Sequence, residues 1–335
     1  PEHNKPHKEG ILEAITKPAV LSGVMELLPE EQLQFEYILS VIRKHFALHA
    51  FYPLDTTILE KSEVLLAKGG GETEKQIYRF EKGSNDISMR FDLTVPLARF
   101  VAQHFSELEF PFRRYQIGKV YRGERKQKGR YREFYQCDVD IIGHNKLHLL
   151  NDAQIPAVMD AIFMELGLPP YAFYINHRGI LSAYMDDLSV EDPVQALRIL
   201  DKLKKMGKEK VEEEFAAAGL TTAQIEKLLA LTLSTGSNDE VLKYLGGLSD
   251  SEAYQAGVST LREVYEGMMA LGIDESRIRI DPTITRGLDY YTGTVYETFI
   301  LGHEEIGSIC SGGRYENLAS YYTTQQLPGV GMSIG

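Results

Sequence analysis

Two polar blocks, far apart in this chain, carry residue types that bind phosphate compounds. The segment 122–132 holds six basic residues and one acid, which suits a small polyphosphate or a single RNA end. The segment 286–293 reads RGLDYYTG and sets a cation, a carboxylate and two tyrosines beside glycines. Taken singly, each block also fits a solvated turn, because arginine and tyrosine are usually surface or boundary residues. What the blocks do therefore depends on the elements that position them.

A strand-like alternation completes the first block. Phe134, Gln136, Asp138 and Asp140 occupy alternate positions, so in a strand they share one face. Burying this mostly polar row without partners is costly, so the face either meets water or lines a ligand cavity. A hairpin would also bring Arg122 next to Phe134. Because arginine donates two hydrogen bonds to a phosphate and an aromatic ring stacks on a base, the pattern predicts a nucleotide site.

Such a site suits adenylate formation, in which a carboxylate attacks the α-phosphorus of ATP. Negative charge grows on the equatorial oxygens, and fixed cations lower the barrier without a covalent enzyme nucleophile. The arginine-rich block is similar to motif 2 of class II aminoacyl-tRNA synthetases, and RGLDYYTG resembles a signature of the histidyl-tRNA synthetase family. The resemblance covers about residues 18–175 and 258–335.

The resemblance implies an α+β fold: a class II aminoacyl-tRNA synthetase-like antiparallel β-sheet of six or seven strands, flanked by helices, with a helical insertion domain. We predict a catalytic core at 1–177, a helical insertion at 178–257 and the rest of the core at 258–335. Helices are predicted from Pro29, with Leu33, Ile38, Ile42 and Phe46 at helical spacing, and from about 152 to 166, ending at Gly167. Strand signals return at 278–280, 295–300 and 306–310. One sheet should therefore take strands from both sides of the insertion.

The resemblance also implies roles for matching residues. Those expected to bind ATP are Arg122, Glu124, Arg130 and Phe134, and the two catalytic cations are Arg122 and Arg286. Those expected to bind histidine are Asp92, Thr94, Gln136, Asp140, Arg286, Tyr290, Tyr291 and Tyr315. Gln127 would touch the acceptor end of tRNA(His), and Mg²⁺ would accompany the ATP. No metal site is predicted in the protein itself.

Imidazole has two polar ring atoms. A carboxylate at Asp140 facing one nitrogen and the phenol of Tyr291 facing the other would reject apolar amino acids, which leave these groups unpaired. Asp92 and Thr94 would bind the substrate amino group with Gln136. Many bacterial members carry a string like RPEGT where this chain has RFDLT at 90–94, and the shorter carboxylate there keeps the charge but changes its reach. Taken alone, Asp92 fits a helix cap equally well.

Composition narrows the classes of partner. The net charge of −12 argues against a protein that coats nucleic acid through a broad positive field. The two cysteines, Cys137 and Cys310, form neither a disulfide framework nor a zinc motif, so they are interpreted as reduced buried thiols. No apolar stretch is as long as a membrane helix, which predicts a cytosolic protein. The resemblance further implies a homodimer built near the first helix.

Two other functions remain open at this stage. A synthetase-like regulatory subunit of ATP phosphoribosyltransferase would match this chain in length, but such paralogues generally lose the residues matched here by Arg122, Arg130 and Arg286. A helical RNA-binding module centred on 178–257 would leave the polar strand face unexplained. The string at 329–335 resembles the start of motif 3 and stops before that motif's arginine, and no anticodon-binding domain follows. We expect a catalytic-core fragment with impaired ATP binding and turnover.

Overall fold

The computed structural model describes residues 16–67, 74–123, 129–284 and 290–335. The helices in these ranges are α1 Pro29–Leu48, α2 Ser62–Leu65, α3 Thr94–Gln103, α4 Leu150–Leu166, α5 Arg178–Asp187, α6 Pro193–Leu200, α7 Leu203–Met206, α8 Lys208–Ala217, α9 Thr222–Ala230, α10 Asn238–Gly246 and α11 Glu252–Ala270. The strands are β1 Tyr52–Pro53, β2 Leu59–Lys61, β3 Arg79–Lys82, β4 Asn85–Met89, β5 Phe112–Tyr121, β6 Glu133–Ile142, β7 Tyr171–His177, β8 Ile278–Ile280, β9 Thr294–Ile300, β10 Cys310–Tyr315 and β11 Gly329–Ile334.

Eight strands form one sheet in the order β1-β5-β6-β11-β10-β9-β7-β8. The six central strands pair antiparallel, as predicted, whereas the edge pairs β1 with β5 and β7 with β8 are parallel. The sheet is therefore larger than the six or seven strands expected, and it is mixed at its edges. Strands β7 and β8 pair across the helices α5 to α11, which confirms that one sheet is built from both sides of this helical stretch. A small antiparallel sheet, β2-β4-β3, lies beside it.

The two faces of the large sheet differ because side chains alternate along β5 and β6. On one face, Val139 and Ile141 pack with Ile42 and Phe46 of α1 and Ile155 of α4 in a single core. Gly167 ends α4 in the left-handed conformation with φ of 65°, as predicted. The other face carries the polar residues. Helices thus cover the apolar face, and polar chemistry is left to the opposite one.

The helix predicted from Pro29 is confirmed as α1, whereas the strand predicted at 306–310 was wrong. Ile42 and Phe46 of α1 are buried, but Leu33 and Ile38 are 72% and 39% exposed. Leu33 lies thirteen residues before Phe46, which places it about 140° around an α-helix from that side chain. The strand predicted at 306–310 instead runs Cys310–Tyr315 and follows a 3-10 turn at Glu304–Ile306. Its glycines conceal the strand signal in the sequence.

No helix within the described ranges combines the length and the apolar character that a membrane crossing requires.

Candidate functional site

Two rows of residues cross the polar face of the sheet, each row taking one residue from β5, β6, β11 and β10. The first row consists of Arg114, Asp140, Gly331 and Gly313. The second row consists of Gln116, Asp138, Ser333 and Ser311. The predicted polar face of β6 is thereby confirmed, and it extends over four strands as the floor of a site.

Arg114 is the cation at the centre of this floor, and the sequence analysis missed it. Its side chain is fully buried, and Nη2 lies 2.7 Å from Asp140 Oδ2 and 4.0 Å from Asp138 Oδ2. The same nitrogen donates to the carbonyl of Leu93 at 3.1 Å. The hairpin register pairs Arg114 with Asp140 and was the available signal. A buried carboxylate without a partner is strongly destabilising. The burial of Asp140 therefore calls for a cation beside it, and Arg114 is that cation.

Asp140 is held on a second side by Tyr315, whose hydroxyl donates to Oδ1 at 3.0 Å. Burial raises the pKa of Asp140, while Arg114 and Tyr315 act against that rise. Glycines make room for both side chains. A Cβ on Gly331 would overlap the Asp140 carboxylate, and one on Gly329 would overlap the ring of Tyr315. The GxG spacing of β11 thus reflects close packing beneath the site and not a dinucleotide-binding loop.

Asp92 joins the floor from the loop before α3. Its Oδ1 accepts the backbone N–H of Val95 and its Oδ2 accepts the hydroxyl of Tyr290, each at 3.0 Å. Burial raises the pKa of Asp92, although the Val95 amide and the charge of Arg122 oppose the rise. Asp92 therefore caps helix α3 and also faces the site. Thr94, the first residue of α3, is buried close by.

Three tyrosines form a wall above the acids. The ring centroid of Tyr290 lies 4.8 Å from that of Tyr291 and 6.0 Å from that of Tyr315. Both contacts are edge-to-face. The structure thus brings the tyrosines of the second sequence block next to Tyr315 of β10 and to the acids of the floor.

The predicted approach of Arg122 to Phe134 is confirmed. The guanidinium carbon of Arg122 lies 5.2 Å from the centroid of the Phe134 ring, and Nε donates to the carbonyl of Phe91 at 2.9 Å. Since Phe91 precedes Asp92, this hydrogen bond ties the cation to the acidic floor. Gln136 is half-buried on the same strand face, and Arg130 is exposed at the hairpin tip.

Three predicted residues lie outside the described ranges: Glu124, Gln127 and Arg286. The joint role of Arg122 and Arg286 as catalytic cations at the α-phosphorus therefore stays a prediction.

A buried ion pair behind the tyrosine wall was not predicted. Arg314 of β10 pairs with Asp152 of α4, with Nη2 2.7 Å from Oδ1 and Nε 3.0 Å from Oδ2. Thr294 donates to the same carboxylate at 2.8 Å. The carbonyl of Arg314 accepts the backbone N–H of Thr292 at 2.9 Å. This network fastens the segment after Tyr291 to the sheet and to α4.

Comparison with known proteins identifies similar chains. A family model described as histidyl-tRNA synthetase matches residues 23–335. The histidine–tRNA ligase of Clostridium tetani is 52% identical over 96% of this chain and 73% of that protein. The crystal structure of histidyl-tRNA synthetase from Nostoc sp. PCC 7120 superposes with a TM-score of 0.87 at 40% identity, over 96% of this chain and 74% of that one. A Bacillus halodurans structure, described as an ATP phosphoribosyltransferase regulatory subunit/histidyl-tRNA synthetase, gives a TM-score of 0.80 at 24% identity over 95% of this chain and 82% of its own, which shows the fold alone.

Proposed function

The chain belongs to the histidyl-tRNA synthetase family of class II histidine–tRNA ligases, and we propose that it activates histidine with ATP on the polar face of its sheet. In the first step a carboxylate oxygen of histidine attacks the α-phosphorus of ATP, and pyrophosphate leaves. In the second, the 3′-terminal hydroxyl of tRNA attacks the activated carbonyl, and AMP leaves. The observation that carries this proposal is the Arg122–Phe134 pair beside a pocket floor of buried carboxylates and tyrosines.

For ATP, we propose that Phe134 stacks on the adenine and that Arg122 stabilises charge on the α-phosphate. The hydrogen bond from Arg122 Nε to the Phe91 carbonyl fixes the cation before the substrate arrives, which is how a preorganised cation lowers a barrier. Arg130 would reach the terminal phosphates from the hairpin tip. Glu124, for the adenine amino group, and Arg286, as a second catalytic cation, are proposed from the sequence alone.

For histidine, we propose that Asp92, Thr94 and Gln136 bind the amino group and that Asp140 and Tyr291 read the ring nitrogens. Tyr290 and Tyr315 would hold the two carboxylates in position, since their hydroxyls already donate to Asp92 and Asp140. A ligand without polar ring atoms would leave buried acceptors unpaired, which is costly. This arrangement supports selection of imidazole over apolar side chains.

The close packing of Gly331 beneath Asp140 gives a direct test of this pocket. We expect Gly331→Ala to raise the KM for histidine by about tenfold or more, because the added Cβ displaces the carboxylate that reads the ring. The control is Gly246→Ala, since a Cβ there meets no atom within 4 Å. Histidine-dependent pyrophosphate exchange measures both. An unchanged KM in the Gly331 variant would contradict the role given to Asp140.

Mg²⁺ is proposed to enter bound to the ATP phosphates. Among the described residues, no group of three or more His, Cys, Asp or Glu side chains is arranged to hold a metal ion. Mg²⁺ commonly binds through substrate phosphates and water with only one or two protein carboxylates. When bound, it would neutralise charge on the leaving pyrophosphate.

We also propose that two copies of this chain associate through the region of α1. Leu28, Leu33 and Tyr37 are 72%, 72% and 58% exposed there, and Tyr52 on the edge strand β1 is 70% exposed. Leu33 and Tyr37 lie one helical turn apart on the same side of α1, and exposed apolar patches favour a protein interface. Light scattering should give about twice the 37.8 kDa of one chain. A monomer mass at micromolar concentration would contradict the dimer.

Three assignments rest on the sequence or on the family. We propose that residues 178–257 act as a helical insertion domain, and that Gln127 contacts the acceptor end of tRNA(His). We further propose that the enzyme works in the cytosol, where the buried thiols of Cys137 and Cys310 stay reduced. Isolated expression of 178–257, crosslinking at position 127 and cell fractionation test these three points in turn.

The decisive experiment for the function is exchange of labelled pyrophosphate into ATP. We expect exchange that requires histidine and is not supported by leucine or glutamine, followed by charging of tRNA(His). The regulatory-subunit alternative has less support, because the relatives at 45–52% identity are histidine–tRNA ligases. Absence of exchange together with stimulation of an ATP phosphoribosyltransferase would favour that alternative and overturn the proposal.

A further inference from the structure

The buried charges on the site floor do not balance within the described residues. Asp92, Asp138 and Asp140 are 1%, 3% and 3% exposed, whereas Arg114 is the cation buried among them and the half-buried Arg122 acts on Asp92. Two of the carboxylates have close partners. Asp140 has Arg114 and Tyr315, and Asp92 has Val95 and Tyr290.

Asp138 differs from both. Its nearest cation contact is Arg114 Nη2 at 4.0 Å, and its Oδ1 has no hydrogen-bond partner in the part of the chain that the structure describes. It stands between Gln136 and Asp140 on the strand face that forms the floor, opposite Gln116 and Ser333. Buried polar atoms without partners are rare and costly, so a carboxylate oxygen left in this state at a binding site points to a ligand donor.

We propose that Asp138 is a specificity-determining residue that accepts a hydrogen bond from a cationic nitrogen of bound histidine. The inference rests on the proposed function and adds a third carboxylate to the histidine-binding set. Histidine offers two cationic groups, the α-ammonium and the protonated imidazole. A cation entering this floor would satisfy Oδ1 and offset the excess of the three carboxylates over Arg114 and Arg122.

The groups that face Asp138 support an acid held ready for a cation. Burial raises the pKa of Asp138 to about 7; Arg114 and the side chain of Ser333 act to lower it, and Asp140 and Asp92 act to raise it. Tyr291, which would contribute only when ionised, is itself kept neutral because burial raises its pKa. Without ligand, the carboxyl is protonated over much of the acidic range.

The test replaces Asp138 by asparagine, which keeps the shape and removes the charge. We expect the dissociation constant for histidine, measured by calorimetry, to rise about 10- to 100-fold, as for loss of a hydrogen bond to a charged group. The melting temperature of the ligand-free protein should rise at pH 7, because an uncompensated buried charge is removed. Weaker binding together with higher stability is a combination that a purely structural role would not produce.

A pH series sharpens this expectation. The folded pKa lies above the ordinary value of 3.8, so the folded protein holds a proton that the unfolded chain loses. The contribution of Asp138 to stability is therefore present at low pH and is lost as the pH rises towards about 7. The advantage in melting temperature of Asp138→Asn over the parent should grow from pH 5 to 7 and then level off.

Asp160→Asn is the matched control. Asp160 is also buried, but Tyr171 donates to it at 2.7 Å and Arg277 at 2.8 Å and 3.0 Å. This variant should lower the melting temperature and leave the affinity for histidine unchanged. Imidazolepropionate, which lacks the amino group, distinguishes the two nitrogens: a loss of affinity that persists assigns the ring, and one that disappears assigns the ammonium.

The outcomes separate this inference from the function itself. A parent protein that binds no histidine would refute both. A parent that binds histidine, with an Asp138→Asn variant of equal affinity or of lower stability, would overturn the role of Asp138 alone.

Discussion

Replacing Arg122 by alanine is expected to reduce the rate of histidine-dependent pyrophosphate exchange by about 10²- to 10³-fold, the usual cost of removing one preorganised donor from a transition state. The side chain is fixed by the Phe91 carbonyl at 2.9 Å and lies over the Phe134 ring. The substitution removes a cation that is already in position when negative charge develops on the α-phosphate. The main effect should therefore fall on kcat, with a smaller rise in the KM for ATP.

The control for this variant is Lys119→Ala on β5, the strand that Arg122 follows. Lys119 also lies over an aromatic ring, 5.7 Å from the centroid of Tyr135, and pairs with Glu133 at 2.7 Å. The register places it on the opposite face of the sheet from Gln136 and Phe134. Exchange by this variant should stay within about twofold of the parent, since exposed pairs contribute little. Pyrophosphate exchange at the parent rate by the Arg122→Ala variant would contradict the role of Arg122 at the α-phosphate.

The site features that the sequence predicted correctly are those set by local pairing. Alternation along β6 fixes which side chains share a face, and the β5–β6 hairpin fixes which residues lie opposite. That is why the approach of Arg122 to Phe134 and the polar row through Asp138 and Asp140 could be read in advance. Arg114 follows from the same register, but an arginine in a strand gives no signal of burial by itself.

Other features depend on contacts between distant parts of the chain. Asp152 and Arg314 are 162 residues apart, and no periodicity links them. The function of Gly331 becomes visible only when β11 is placed beside Asp140. The spacing in α1 predicted the helix but not which side of it is buried, because the five-residue step from Leu33 to Ile38 turns the side chain by about 140°. Tertiary packing decides whether the side chains at such positions are buried and what they contact.

Arg314→Met is expected to lower the free energy of unfolding by about 3–5 kcal/mol, because it leaves Asp152 buried without its cation. Asp152 is fully buried, and of the donors to its side chain in the described ranges only Thr294 would then remain. The double variant Asp152→Asn with Arg314→Met should be more stable than Arg314→Met, since neither charge remains. Urea denaturation at pH 7 measures all three proteins.

The control for this loss of stability is the variant Lys44→Met. Lys44 pairs with Glu165 of the same helix α4 at 2.8 Å, but its side chain is 55% exposed. Its removal should change stability by less than about 1 kcal/mol. Because Arg314 precedes Tyr315, whose hydroxyl donates to Asp140 at 3.0 Å, loss of the Arg314–Asp152 pair should loosen the strand that carries Tyr315, and a folded Arg314→Met protein should also bind histidine more weakly than the Lys44 variant. Equal stability of the Arg314 and Lys44 variants would mean that the segment after Tyr291 is held by the other strands alone.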